Sequence, residues 1–147
     1  MKKENKDIKI EFFTNKESQY NTIFMNKLYE KIINEKKHLL EELQLKNVRK
    51  VNIRLYDNRE DFIKTIRKFY IGVNIPTYCK GTIQNGEIYF LIDVKLKEGT
   101  YEYELELRKI IHEYIHILYN EYVLISNTRI TWLDEGLALN LSKQKGR

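Results

Sequence analysis

The sequence contains little cysteine, proline or glycine: its 147 residues include one cysteine, one proline and six glycines. Because Cys79 has no second cysteine to pair with, an intrachain disulfide framework is excluded and a reducing compartment is favoured. The low proline and glycine content excludes collagen-like and low-complexity chains. No apolar stretch reaches the length of a signal-peptide core or a membrane span. These absences predict a cytoplasmic protein that has no membrane partner.

The composition is typical of a folded domain. The chain is 42% hydrophobic and 32% charged, which predicts a single domain over residues 1–147 with a mobile tail at residues 1–7. The net charge is +5, but outside two short clusters at the chain ends the lysines and arginines are interspersed with acids. This pattern favours solvated helix faces over nucleic-acid binding. Nothing in the sequence indicates an oligomeric state.

Hydrophobic periodicity predicts several strands. Apolar residues alternate with polar ones at residues 8–12 and again at residues 51–55, as in half-buried strands. Asn85-Gly86 separates two β-prone runs and predicts a hairpin, because both residues accept positive φ. The arm at Gly81–Gln84 is short and polar, which predicts an edge strand. The arm at residues 87–92 is apolar on both faces, which predicts an inner strand.

Helical periodicity recurs in four segments. It predicts helices at about residues 16–43, 101–123 and 131–143, and one more helix that follows a cap at Asp57 or Asn58. The segment at residues 101–123 begins with tyrosines and leucines that alternate with glutamates, a pattern that also suits a strand. Acids favour a helix N-terminus, so a helix is predicted there. The chain is therefore expected to be α+β, with a small mixed sheet of about four strands.

The strongest chemical signal is at residues 112–116, which read His-Glu-Tyr-Ile-His. Residues four apart share one face of a helix, so His112 and His116 can converge on a metal ion. Glu113 lies beside that point and could polarise a water molecule. The competing interpretation is an ordinary amphipathic helix whose histidines are surface or satisfied core residues. A short pattern of this kind does occur by chance, so a third ligand is needed.

A candidate third ligand follows eighteen residues after His116, where residues 132–138 read Trp-Leu-Asp-Glu-Gly-Leu-Ala. Catalytic zinc sites use three protein ligands and one open position, and Glu135 would complete such a set. Glu135 also suits an exposed position in the first turn of a capped helix.

Together the two segments resemble the gluzincin metallopeptidases, in particular the aminopeptidase-like branch with HExxH, an eighteen-residue gap and W-x-x-E-G-x-A. The resemblance implies one zinc ion held by His112, His116 and Glu135. It also implies that Glu113 is the general base, which takes a proton from the attacking water and passes it to the leaving amine. The substrate would be a peptide or protein, and the enzyme an endopeptidase or an aminopeptidase-like hydrolase.

The resemblance also implies a zincin-like upper subdomain. In that fold the sheet packs on a backing helix, the HExxH active-site helix and a C-terminal glutamate helix, with an edge strand over the cleft. Gly81, Thr82, Ile83 and Gln84 would form that strand and pair with substrate, or would be a plain hairpin arm. Tyr119 would be an oxyanion donor, or a core or rim residue. The resemblance covers about residues 50–143, and the chain is similar to the minimal single-domain members called minigluzincins.

Two departures from the family pattern lead to alternatives. Leu139 stands where the family has an acidic residue one turn after the glutamate, and the sequence given ends at Arg147. These features suggest an enzyme that is latent or narrow in specificity, with Cys79, Asp134 or a chain end as candidates for the fourth zinc position. The alternative function is a non-catalytic module in which zinc stabilises a peptide-binding or protein-binding surface.

Overall fold

A computed structural model of the chain describes residues 1–14, 18–44 and 49–126. In these ranges the fold is α+β, as predicted, with a mixed five-stranded sheet and three α-helices. Contacts divide the described residues into two compact units. The first unit lies within Met1–Asn26 and Lys50–Leu96, and the second comprises the other described residues.

The sheet belongs to the first unit. Its strands are β1 (Lys2–Glu4), β2 (Ile8–Phe13), β3 (Val51–Tyr56), β4 (Gly81–Gln84) and β5 (Glu87–Leu91), in the order β1-β2-β3-β5-β4. The pairs β2/β3 and β3/β5 are parallel, whereas β1/β2 and β4/β5 are antiparallel. The predicted alternation is confirmed, because one face of the central strands is fully buried at Ile8, Ile10, Val51, Ile53 and Leu55.

The hairpin between β4 and β5 is confirmed. Asn85 has φ 56° and Gly86 has φ 74°, so both turn residues occupy the left-handed region that favours Asn-Gly. As predicted, β4 lies at the edge of the sheet and β5 lies inside it, between β3 and β4.

The sheet has five strands rather than about four, because the segment predicted as a tail contains β1. The sequence predicts a mobile tail at residues 1–7, whereas Lys2–Glu4 pairs with β2 and places Lys2 opposite Glu11. The strand has no apolar alternation, so hydrophobic periodicity does not reveal it. Opposite charges across the strands and an ion pair between Lys50 and Glu4 stabilise it instead. The hydrogen bond from Lys50 lowers the pKa of Glu4.

The first two helices are α1 (Gln19–Leu43) and α2 (Arg59–Ile66). The side chain of Asn58 caps α2 by accepting a hydrogen bond from the Asp61 N–H at 3.2 Å, as one of the two predicted caps. The helical periodicity predicted after this cap is confirmed, since Phe62 and Ile66 are buried with Tyr56 and Tyr89. A 3₁₀ turn at Arg67–Phe69 follows α2.

The third helix, α3 (Tyr101–Ser126), belongs to the second unit. Its alternating start is helical, as predicted: the Tyr103 N–H donates to Thr100 Oγ1 at 3.3 Å, and the acids Glu102 and Glu104 occupy the first turn. Within the described ranges, no helix is long and apolar enough to cross a membrane. The helix predicted at residues 131–143 lies outside the described residues.

Candidate metal centre

Helix α3 separates a buried side from a partly exposed one around the two histidines. Ile111, Ile115 and Leu118 recur at three- and four-residue spacing and are buried, as in the apolar stripe of an amphipathic helix. His112 and His116 are both partly exposed. The two imidazoles are therefore held by a helix with a packed face and retain access to solvent.

The rings of His112 and His116 converge. Their Nε2 atoms lie 3.0 Å apart. The ring centroids are 4.6 Å apart, and the ring planes are inclined by 77°. The i,i+4 spacing brings the side chains together, and the rotamers direct the same nitrogen of each ring to a common point.

The separation of the two Nε2 atoms suits a shared cation. Two imidazole nitrogens about 2.05 Å from one zinc ion, at the tetrahedral angle, lie ~3.3 Å from each other. The observed 3.0 Å is close to that value. The same distance suits an N–H···N hydrogen bond, in which one proton takes the place of the metal. A metal ion and a proton compete for the lone pairs of the two Nε2 atoms, so the two histidines are preorganised to bind either one.

The structure describes Glu113 and Tyr119 of the predicted site but not Glu135. Glu113 follows His112 directly and is half-buried. Tyr119 is only 5% exposed, which places it among the buried residues of α3. Glu135, the predicted third ligand, lies outside the described residues. Within the described ranges, no group of three or more His, Cys, Asp or Glu side chains is placed to hold a metal ion.

The predicted substrate strand, Gly81–Gln84, belongs to the first unit, whereas the histidines belong to the second. Two of its side chains are tied to a neighbouring tyrosine. Thr82 Oγ1 lies 2.7 Å from the Tyr70 hydroxyl, and Gln84 Nε2 donates to that hydroxyl at 3.3 Å and to Thr82 Oγ1 at 3.0 Å. Among the described residues, no strand pairs with the outer edge of β4.

Sequence patterns did not predict a polar cluster on the sheet face opposite the buried face of Ile53 and Leu55. Arg54 Nη1 donates to Glu87 Oε2 at 2.7 Å and contacts the Tyr89 hydroxyl at 3.0 Å. Asn52 Nδ2 donates to Glu87 Oε1 at 2.8 Å. Arg54, Glu87 and Tyr89 line a cavity of about 720 Å³ in the first unit. These residues come from β3 and β5, which the sequence separates by about thirty residues, so no local pattern indicates their contact.

This cluster shifts the pKa of each of its titratable groups. The hydrogen bond from Arg54 lowers the pKa of Glu87, and the same bond raises the pKa of Arg54. Burial raises the pKa of Tyr89 and of the nearby Tyr56. Ionised Glu87 and Arg54 therefore stabilise each other, while both phenols stay protonated over a wider pH range.

No protein family, curated protein or solved structure matches the chain.

Proposed function

We propose that this protein is a zinc-dependent peptidase of the gluzincin type. The observation that carries the proposal is the convergence of His112 Nε2 and His116 Nε2 to 3.0 Å on one helix, with Glu113 next to the first histidine. The sequence supplies a third ligand of the right chemistry in Glu135. A peptide is the expected substrate, and the single cysteine favours a reducing, cytoplasmic location.

His112, His116 and Glu135 would hold the metal. Zinc bound there would lower the pKa of water to about 7 and polarise the scissile carbonyl. Glu113 accepts the proton of the attacking water and donates it to the leaving amine, which requires a carboxylate that is partly open to solvent. The outer edge of β4 would pair with an extended peptide. Tyr119 is buried, so a packing role is assigned to it in preference to oxyanion stabilisation.

Metal binding is tested by the zinc content of purified protein. The wild type is expected to hold one zinc ion, and His116→Ala to lose it. His38→Ala is the matched control, because His38 is exposed on α1 and is the third of the three histidines in the chain. Equal zinc content in the two variants would remove the histidine pair from the site.

Catalysis is tested by Glu113→Gln. This variant is expected to keep zinc and to cleave a peptide library at a rate lower by about 10²- to 10⁴-fold, because the general base is lost. Glu102→Gln is the control, since Glu102 is an exposed acid at the start of the same helix. Undiminished cleavage by Glu113→Gln would refute the mechanism. Zinc that stabilises the fold against unfolding, without any cleavage by the wild type, would favour the non-catalytic module instead.

A further inference from the structure

The loop between the 3₁₀ turn and β4, residues 70–80, carries the most exposed of the large apolar side chains in the described part of the chain. Ile71 is 85% exposed, Tyr78 is 82% exposed and Val73 is 60% exposed. Elsewhere in the described ranges, no large hydrophobic side chain is more than 49% exposed. Scattered apolar residues are normal on protein surfaces, but three at this level within one short loop indicate a contact surface.

The fold keeps these three side chains exposed, because other residues of the same loop anchor the loop to the core. Tyr70, Ile75 and Cys79 pack against the core cluster of Tyr56, Phe62, Ile66 and Tyr89. The Arg59 guanidinium donates to the carbonyl oxygens of Cys79 and Pro76, at 3.0 Å and 3.1 Å. The inward side chains and these two hydrogen bonds hold the loop so that Ile71, Val73 and Tyr78 project away from the core.

The tip of the loop is open to solvent. Gly72, between Ile71 and Val73, has φ 76°, and a Cβ atom added to it would meet nothing within 4 Å. The Val73 N–H donates to the Tyr70 carbonyl oxygen at 3.1 Å and closes the turn that carries the glycine. The two aliphatic side chains therefore flank a tight, projecting turn.

The charges around the loop have one sign. Between Asp61 and Glu87 the chain has no acid and four cations, Lys64, Arg67, Lys68 and Lys80. Lys64, Arg67 and Lys68 are exposed, and they line the same surface depression as Ile71 and Val73. Residues 43–56 also carry four cations, Lys46, Arg49, Lys50 and Arg54, and no acid, but Lys50 and Arg54 form ion pairs with Glu4 and Glu87.

We propose that the loop at residues 70–80 docks the protein on an anionic lipid surface. A peripheral membrane contact combines three features. Apolar side chains enter the boundary between headgroups and acyl chains, a tyrosine lies at headgroup depth, and cations face anionic lipid. A surface contact of this kind needs no spanning helix. The proposal departs from the expectation of no membrane partner, which rested on the lack of a spanning segment, and it does not depend on the zinc site.

The test is sedimentation of the purified full chain with vesicles. The protein is expected to bind vesicles of phosphatidylcholine mixed with phosphatidylglycerol, and to bind less in high salt or when phosphatidylglycerol is omitted. Arg67→Gln combined with Lys68→Gln is expected to weaken partitioning by about 25-fold, from about fivefold for each cation. Ile71→Ser combined with Tyr78→Ser is expected to weaken it by about tenfold or more.

The matched control is Val94→Ser combined with Lys95→Gln, which removes one exposed apolar side chain and one exposed cation from a different loop. This variant is expected to bind vesicles as the wild type does. All variants should keep the wild-type unfolding midpoint, since each changed side chain is exposed. Failure to bind anionic vesicles, equal binding to phosphatidylcholine alone, or binding that survives both loop variants would overturn the proposal. Self-association that the loop variants abolish, without vesicle binding, would assign the loop to a second copy of the chain instead.

Discussion

Replacement of Glu87 by glutamine removes the carboxylate that joins β3 to β5. In the wild type, one oxygen of Glu87 accepts a hydrogen bond from Arg54 at 2.7 Å and the other accepts one from Asn52 at 2.8 Å. Glutamine offers one oxygen and one NH₂ group. Arg54 then donates to a neutral oxygen in place of a charged one, and Asn52 keeps a hydrogen bond only if its amide turns so that Oδ1 accepts from the new NH₂ group.

The expected loss of stability follows from the exposure of the pair. A hydrogen bond to a charged group contributes ~1.5–3 kcal/mol. The side chains of Arg54 and Glu87 are 26% and 27% exposed, so water compensates part of that loss. We expect Glu87→Gln to lower the free energy of unfolding by ~1–2 kcal/mol at neutral pH. For a chain of this length the unfolding midpoint would fall by about 3 to 6 °C.

The difference between the two proteins should depend on pH. Because Arg54 lowers the pKa of Glu87 in the folded state, this carboxylate stabilises the fold above its ordinary pKa. The contribution is lost as the pH falls through the lowered value, since the carboxyl is then protonated in both states. Urea unfolding of wild type and Glu87→Gln should therefore give free energies that differ at neutral pH and converge in acid.

The control for this experiment is Glu30→Gln, which changes an exposed glutamate of α1. It should lower stability by less than about 0.5 kcal/mol, as is usual for surface substitutions. A Glu87→Gln variant as stable as this control, or a difference from wild type that does not shrink in acid, would refute the assignment of the ion pair as a stabilising contact.

Two further substitutions test how the edge strand and α2 are held. Gly81→Ala would place a Cβ atom 2.7 Å from Phe90 Cδ2 and should cost ~1–3 kcal/mol by overpacking, as measured by urea unfolding; unchanged stability would contradict the close approach of the two strands. Asn58→Ala removes the side chain that accepts the Asp61 N–H and should cost ~1 kcal/mol, whereas Asn58→Asp, which keeps the cap, should retain stability. Equal losses in the two Asn58 variants would argue against capping.

Features that depend on neighbours in the sequence were predictable. Asn85-Gly86 specifies its turn through the φ values of two adjacent residues, and the structure has both residues at positive φ. His112 and His116 share a helix face because the helical repeat brings positions four apart together, and their Nε2 atoms lie 3.0 Å apart. The convergence of the two histidine rings could therefore be predicted from their spacing. The roles of His112, His116 and Glu135 as metal ligands stay predictions.

Features that depend on distant segments required the tertiary structure. The charged strand β1 has no apolar pattern, and only its pairing with β2 defines it. The contact of Arg54 with Glu87 exists because β3 and β5 are parallel neighbours although β4 separates them in sequence. Ile71 and Ile75 are identical residues of one loop, yet one is exposed and the other packs on the core. Sequence alone determined local conformation and residue chemistry, whereas the packing of distant segments decided which side chains meet and which face solvent.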